Sequence, residues 1–167
     1  MFAPEPLPSG EKSAIYGALL AQLRAMLEGE RDWLANCANT AALLCQALSD
    51  LNWAGFYLVR PGNRADLLLG PFQGKPACVR IAIGRGVCGT AAKTRAAVVV
   101  ADVRDFPDHI ACDSASRSEL VVPLLAADGR LLGVLDLDSP LTGRFDDEDR
   151  RGCEELAAAL VEAADWW

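Results

Sequence analysis

The chain is poor in histidine, has no basic cluster and has no long apolar run, and each lack removes a class of function. Among its 167 residues there is one histidine, His109. No run of Lys or Arg occurs, and the formal net charge is −7. Nucleic acid is thereby excluded as the main partner, because phosphate contacts need a basic patch. No stretch reaches the roughly 18 apolar residues of a membrane span. The first residues lack the basic start, apolar run and small-residue cleavage site of a secretory signal, so a cytoplasmic location is expected. No internal repeat is evident. Residues 1–10 hold three prolines and a glycine and are expected to form a flexible tail, with residues 11–167 as one domain.

What is present is a real core and an unusual number of thiols. Hydrophobic residues make up 51% of the chain. The six cysteines are Cys37, Cys45, Cys78, Cys88, Cys112 and Cys153. In a reducing compartment structural disulfides are not expected, which leaves buried thiols, a metal site or redox chemistry.

Three segments carry a helical period: 13–28, 32–49 and 147–166. The last opens on Asp146-Asp147-Glu148-Asp149, which suits the positive end of a helix dipole. Between the second and third helices lie short β-type runs at 53–59, 67–70, 78–83, 97–101, 120–125 and 131–138. Asp128-Gly129 joins the last two as a tight hairpin turn. This order predicts an α+β fold. A mostly antiparallel sheet would carry the terminal helices on one face and a ligand pocket under loops on the other.

Cys37, Cys45 and Cys153 fall on the apolar stripes of helices and read as core, where a free cysteine packs as a small hydrophobe. Cys88 lies in Gly84-Arg85-Gly86-Val87-Cys88-Gly89, and Cys112 in the polar stretch 105–114. Both positions read as turn-rich loops, where a cysteine is better placed to react than to pack. Cys78 opens a predicted strand, and periodicity leaves its burial open. Cys78, Cys88, Cys112 and His109 have the right ligand types for zinc. Structural zinc sites, however, present paired ligands two to four residues apart, and Cys78 and Cys88 are too widely spaced. No metal ligand is predicted. Gly84 to Gly89 matches a dinucleotide fingerprint. The next strand begins near Ala97, so only a turn or two of helix fits between Thr90 and Thr94. A strand–helix–strand unit of ~30 residues does not fit. The glycines read instead as a tight bend beside Cys88.

On strand 131–138, alternation puts Leu132, Val134, Asp136 and Asp138 on one face and Leu131, Gly133, Leu135 and Leu137 on the other. Glu119 precedes another apolar strand, so three carboxylates can converge near one end of the sheet. On the first strand Trp53, Gly55 and Tyr57 share a face. Gly55 between two aromatics suggests an open space with an aromatic wall. Core packing with the ring tips in water is the other reading.

Five ordered blocks carry a resemblance. They are Asn52-Trp53-Ala54-Gly55-Phe56-Tyr57, Gly70-Pro71-Phe72-Gln73-Gly74-Lys75, Gly84 to Gly89, His109-Ile110-Ala111-Cys112-Asp113, and Gly133-Val134-Leu135-Asp136-Leu137-Asp138-Ser139. Together they resemble the free methionine-(R)-sulfoxide reductases, single-domain enzymes of the GAF fold, over about residues 11–160. The resemblance implies an antiparallel GAF sheet, usually in a homodimer, and thiol-dependent reduction of free methionine-(R)-sulfoxide. It implies Cys112 as nucleophile, with Cys88 or Cys78 resolving its sulfenic acid to a disulfide and thioredoxin restoring the thiols. Trp53, Tyr57, Glu119, Asp136 and Asp138 would surround the substrate. Crowding should raise at least one carboxyl pKa so that it can donate a proton. No metal or organic cofactor is required by that chemistry. The competing expectation is a GAF module that binds or senses a small molecule without reacting. A weaker one is a peroxide-reactive thiol sensor.

Overall fold

The computed structural model describes residues 6–110 and 113–167, the side chains at 63 and 64 excepted. Ala111 and Cys112 lie outside the described residues, as does the first half of the expected tail. Helices α1 (Lys12–Leu27) and α2 (Trp33–Ala47) lead into strands β1 (Trp53–Arg60), β2 (Asn63–Gly74) and β3 (Arg80–Ala82). Helix α3 (Gly86–Thr94) and strand β4 (Val98–Val100) follow, then β5 (Ser118–Leu125), β6 (Leu131–Ser139) and α4 (Asp147–Ala163). The six strands form one antiparallel sheet in the order β3-β2-β1-β6-β5-β4.

Each face of this sheet has its own apolar core. Leu19, Leu23, Leu44, Phe56, Leu124, Leu137, Leu156 and Leu160 belong to the first, where α1, α2 and α4 cover the sheet. Val134, Val121, Leu67, Tyr57, Val87 and Ala91 belong to the second, beneath α3. The α+β expectation is met, with one change. The second face is covered partly by a helix and not only by loops.

That helix is a correction to the expected bend. Gly84 (φ +93°) and Gly86 (φ +60°) adopt the left-handed backbone that turns the chain out of β3. From Gly86 it runs nine residues as α3, so Cys88 sits on a helix and not in a loop. Val87, Cys88, Ala91 and Ala92 are buried together, a helical recurrence of one stripe. Gly89 is required by close approach: a Cβ there would lie 2.4 Å from the Ala82 carbonyl oxygen. The segment β3–α3–β4 connects the two opposite edges of the sheet. It therefore crosses the second face, which excludes the parallel unit of a dinucleotide fold.

Other boundaries also move. Strand β2 is far longer than 67–70. Cys78 precedes β3 and does not open it. Helix α4 ends at Ala163 because Ala164 is extended (ψ 150°), after which Trp166 stacks on Trp33 and Trp167 meets it edge to face. Strand β6 carries one extra residue: Leu124 faces Gly133 while Leu125 faces Leu131. This bulge at Leu132 flips the alternation. Leu132 enters the first core and Leu131 packs against the second, the reverse of the expected faces.

Candidate active site

Strand register assembles the site from residues distant in sequence. Asp138 of β6 faces Trp53 on β1 and Glu119 on β5, forming one row across three strands. The next row on the same face is Gly55, Asp136 and Val121. Residues directly opposite lie ~5 Å apart, so the three acids form one cluster. The first turn of α3 then closes over them. Cys88, Glu119 and Asp136 each place a ligand-type atom within 4.8 Å of the others. The Cys88 thiol donates toward Glu119 Oε1 at 3.9 Å, and His109 Nε2 lies 3.6 Å from Glu119 Oε2.

Burial decides the charge state of this cluster. Cys88 is 3% exposed, Glu119 6% and Asp136 5%. Desolvation first, then neighbouring carboxylates, push Glu119 and Asp138 well above the usual carboxylate range. Burial raises Asp136 as well, to about 7. The Cys88 thiol is driven far up by burial and by Asp136 and Glu119, so it rests as a neutral thiol. Burial also lowers His109, which disfavours its cationic form.

Opposite the acids stands an aromatic wall. Trp53 stacks on Tyr57 (centroids 5.8 Å, 22°) and on Phe72 (5.3 Å, 13°). The open space expected at Gly55 is absent. A Cβ there would lie 2.3 Å from the Phe72 Cβ and 2.7 Å from the Trp53 ring. Gly55 thus lets the indole fold flat over the strand. Trp53 Nε1 donates to the Lys75 carbonyl, and the Tyr57 hydroxyl donates to the Cys78 carbonyl at 3.0 Å. Both rings are therefore fixed by the segment that carries Cys78. Acids, thiol and aromatics line a pocket with about 520 Å³ of free space, solvent at its mouth included.

Comparison with known proteins gives this pocket a family. The GAF domain profile matches residues 35–164. The free methionine-R-sulfoxide reductase of Escherichia coli is 50% identical over 149 residues, covering 89% of this chain and 88% of the relative. That of Saccharomyces cerevisiae is 43% identical over 153 residues, covering 89% and 85%. The X-ray structure of the Neisseria meningitidis free methionine-R-sulfoxide reductase in complex with its substrate superimposes with a TM-score of 0.91, at 48% identity. The match covers 98% of this chain and 95% of that one. The chain belongs to the GAF-fold family of free methionine-R-sulfoxide reductases.

For a free methionine-R-sulfoxide reductase the placement of the expected residues is uneven. Trp53, Tyr57, Glu119, Asp136, Asp138 and Cys88 are all brought to one pocket. Cys78 is half-buried at its border, and Cys112 lies outside the described residues. Cys37 and Cys153 are fully buried, with thiols pushed up to about 12 chiefly by burial, and Cys45 is half-buried. Sequence reasoning overlooked the polar frame. Asn52 donates to Ser116 Oγ (3.0 Å) and to Asp113 Oδ2 (3.3 Å), while Lys75 pairs with Asp113 at 3.2 Å. Lys75 and Asp113 lie inside the quoted motifs, but no periodicity distinguishes them from solvated surface charges.

Among the described residues Cys88, Glu119 and Asp136 form a set of metal-type ligands close enough to share one ion. It shares only Cys88 with the thiol and histidine set weighed from sequence.

Proposed function

We propose that the protein reduces free methionine-(R)-sulfoxide to methionine, with Cys112 as nucleophile. One observation carries this reading: the buried carboxyls of Glu119 and Asp136 and the half-buried one of Asp138, all held toward their protonated forms, face an aromatic wall in one pocket. A sulfoxide oxygen leaves only when protonated, and a neutral Glu119 or Asp136 supplies that proton. The attacking sulfur must be a thiolate, which Cys88 is not at rest. This supports assigning the attack to Cys112, whose neighbour Asp113 is anchored at the pocket by Asn52 and Lys75.

The Cys112 thiolate attacks the sulfoxide sulfur while a carboxyl protonates the oxygen. Methionine leaves and Cys112 becomes a sulfenic acid. Trp53 and Tyr57 pack the S-methyl group, and the Trp53 ring face stabilises positive charge developing on sulfur. An ionised member of the acid cluster holds the substrate ammonium. Cys78 then condenses with the sulfenic acid, releasing water and forming a disulfide. Cys78 suits this step better than Cys88, because its sulfur is not enclosed by the acids. A thioredoxin dithiol restores both thiols by exchange. The active protein is a cytoplasmic homodimer in this reading.

The test supplies thioredoxin, its reductase and NADPH, and follows NADPH oxidation with each free sulfoxide epimer. Turnover is expected with the R epimer, and its absence would overturn the assignment. Cys112→Ser should abolish even a single turnover. Cys78→Ser should still release about one methionine per chain before stalling. Without reductant, sulfoxide should consume two thiols per chain, whereas a non-reacting sensor would consume none.

A further inference from the structure

We propose that the reduced pocket is also a binding site for one thiophilic divalent cation, zinc above all. Its ligands are Cys88 Sγ and the carboxylates of Glu119 and Asp136, with His109 as a fourth donor.

Geometry is the first support. A tetrahedral zinc ion with bonds of 2.0–2.3 Å holds its ligand atoms ~3.3–3.8 Å apart. Cys88 Sγ lies 3.9 Å from Glu119 Oε1, His109 Nε2 lies 3.6 Å from Glu119 Oε2, and the three-residue set spans at most 4.8 Å. Closing by up to about 1 Å brings these three to tetrahedral spacing, and His109, which now approaches only the second oxygen of Glu119, turns in as the fourth donor. Two of the ligands come from paired strands and one from a helix packed on them, so the cluster is held by the fold.

The second support is an unmet need inside the cluster. Asp136 is 5% exposed, and its Oδ1 has no hydrogen-bond partner among the described residues. A buried carboxylate oxygen left this way calls for a proton or a cation. The pocket's own cations are engaged elsewhere: Lys75 with Asp113 and Arg85 with Asp108. A sulfur, a nitrogen and two carboxylates suit zinc, cobalt or cadmium. Magnesium and calcium want an all-oxygen shell. On binding, the Cys88 thiol proton and any protons held by the Glu119 and Asp136 carboxyls pass to solvent as the sulfur–metal and oxygen–metal bonds form, with no change of oxidation state. The ion then occupies the space where the sulfoxide oxygen would be protonated, so metal and substrate exclude each other.

Binding is read without turnover, so it stands or falls apart from the reductase assignment. Reduced, metal-free protein in a Cys45→Ser background is titrated with Co²⁺, then with Zn²⁺ under equilibrium dialysis. One ion per chain is expected, with a thiolate-to-cobalt absorption band that Cys88→Ala removes. Glu119→Gln and Asp136→Asn, which preserve volume, should weaken zinc at least ~10-fold while the band persists. Far-ultraviolet circular dichroism checks that each variant is folded. Should Cys88→Ala fold poorly, Cys88→Ser gives the same readout. Zinc weaker than ~100 µM, a band that survives loss of Cys88, or undiminished zinc binding in both carboxyl variants would overturn the proposal.

Discussion

The two faces of the sheet use the same strands for opposite ends. On one, Leu120, Leu124, Leu135 and Leu137 meet the helix layer, whose few buried polar groups are paired, Asp149 with Tyr16 and Arg144 among them. On the other, the same two strands present Glu119, Asp136 and Asp138 beneath a single short helix. The first face stabilises the fold by removing apolar surface from water. The second spends part of that stability on acids whose burial is unfavourable whenever they ionise. Alternate residues of one strand thus serve fold and chemistry separately.

Substitutions can break this division. The largest effect is expected at Glu119→Gln, which removes a proton donor while keeping shape. It should lower kcat/KM by ~10²–10⁴-fold. Its thermal stability at neutral pH should equal or exceed that of the parent, because an ionisable buried group is gone. A stability loss without an activity loss would place Glu119 with the structural face.

Next comes Leu137→Ala on the opposite face of the neighbouring strand β6. Leu137 is fully buried between Asp136 and Asp138 in sequence, yet it points into the helix-covered core. Denaturant unfolding should show a loss of about 2–5 kcal/mol. Activity per folded molecule should remain near that of the parent.

A third expectation concerns pH. In the unfolded chain the carboxyls ionise near their ordinary values, whereas in the folded chain burial keeps Glu119 and Asp136 protonated to higher pH, Asp136 to about 7. The folded state therefore binds more protons in that window, and stability falls as pH rises through it. Melting temperature should decline by several degrees from about pH 5 to 8. The slope should shrink in Glu119→Gln. A flat profile in the parent would mean that the acids are solvated.

Much of the first face was legible in the sequence because its signals are periodic. The apolar stripes of α1, α2 and α4 and the alternation Asp136–Leu137–Asp138 follow from helix and strand geometry alone. The second face was read less well where packing overrides local signals. Glycines around Cys88 suggested a loop, although Val87, Cys88, Ala91 and Ala92 already carry a helical spacing. The bulge at Leu132 depends on how β5 and β6 register, which no single strand encodes. Gly55 suggested open space, and only the fold brings Phe72 beside it. Convergence of Glu119 with the β6 acids was suspected because each adjoins an apolar strand. Enclosure by Cys88 and His109 needed the crossing of α3.

The smallest expected effect lies farthest from the pocket. Asp146 caps α4, accepting from the Glu148 and Asp149 amides within a capping box, and pairs with Lys12 of α1. Asp146→Ala should cost about 1 kcal/mol in unfolding free energy and leave turnover intact. A loss of activity there would show that the helical face is coupled to the pocket.

The tryptophans are divided between these regions in a way that matters for optical work. Trp33, Trp166 and Trp167 form one aromatic knot, with Arg60 lying over Trp33 and Trp167. Trp53 alone lies in the pocket. Indole emission is consequently a two-channel reporter. One component follows the tie between the helix layer and the residues after α4, and the other follows occupancy of the pocket. Replacing the three clustered indoles with phenylalanine would isolate the channel that watches the chemistry.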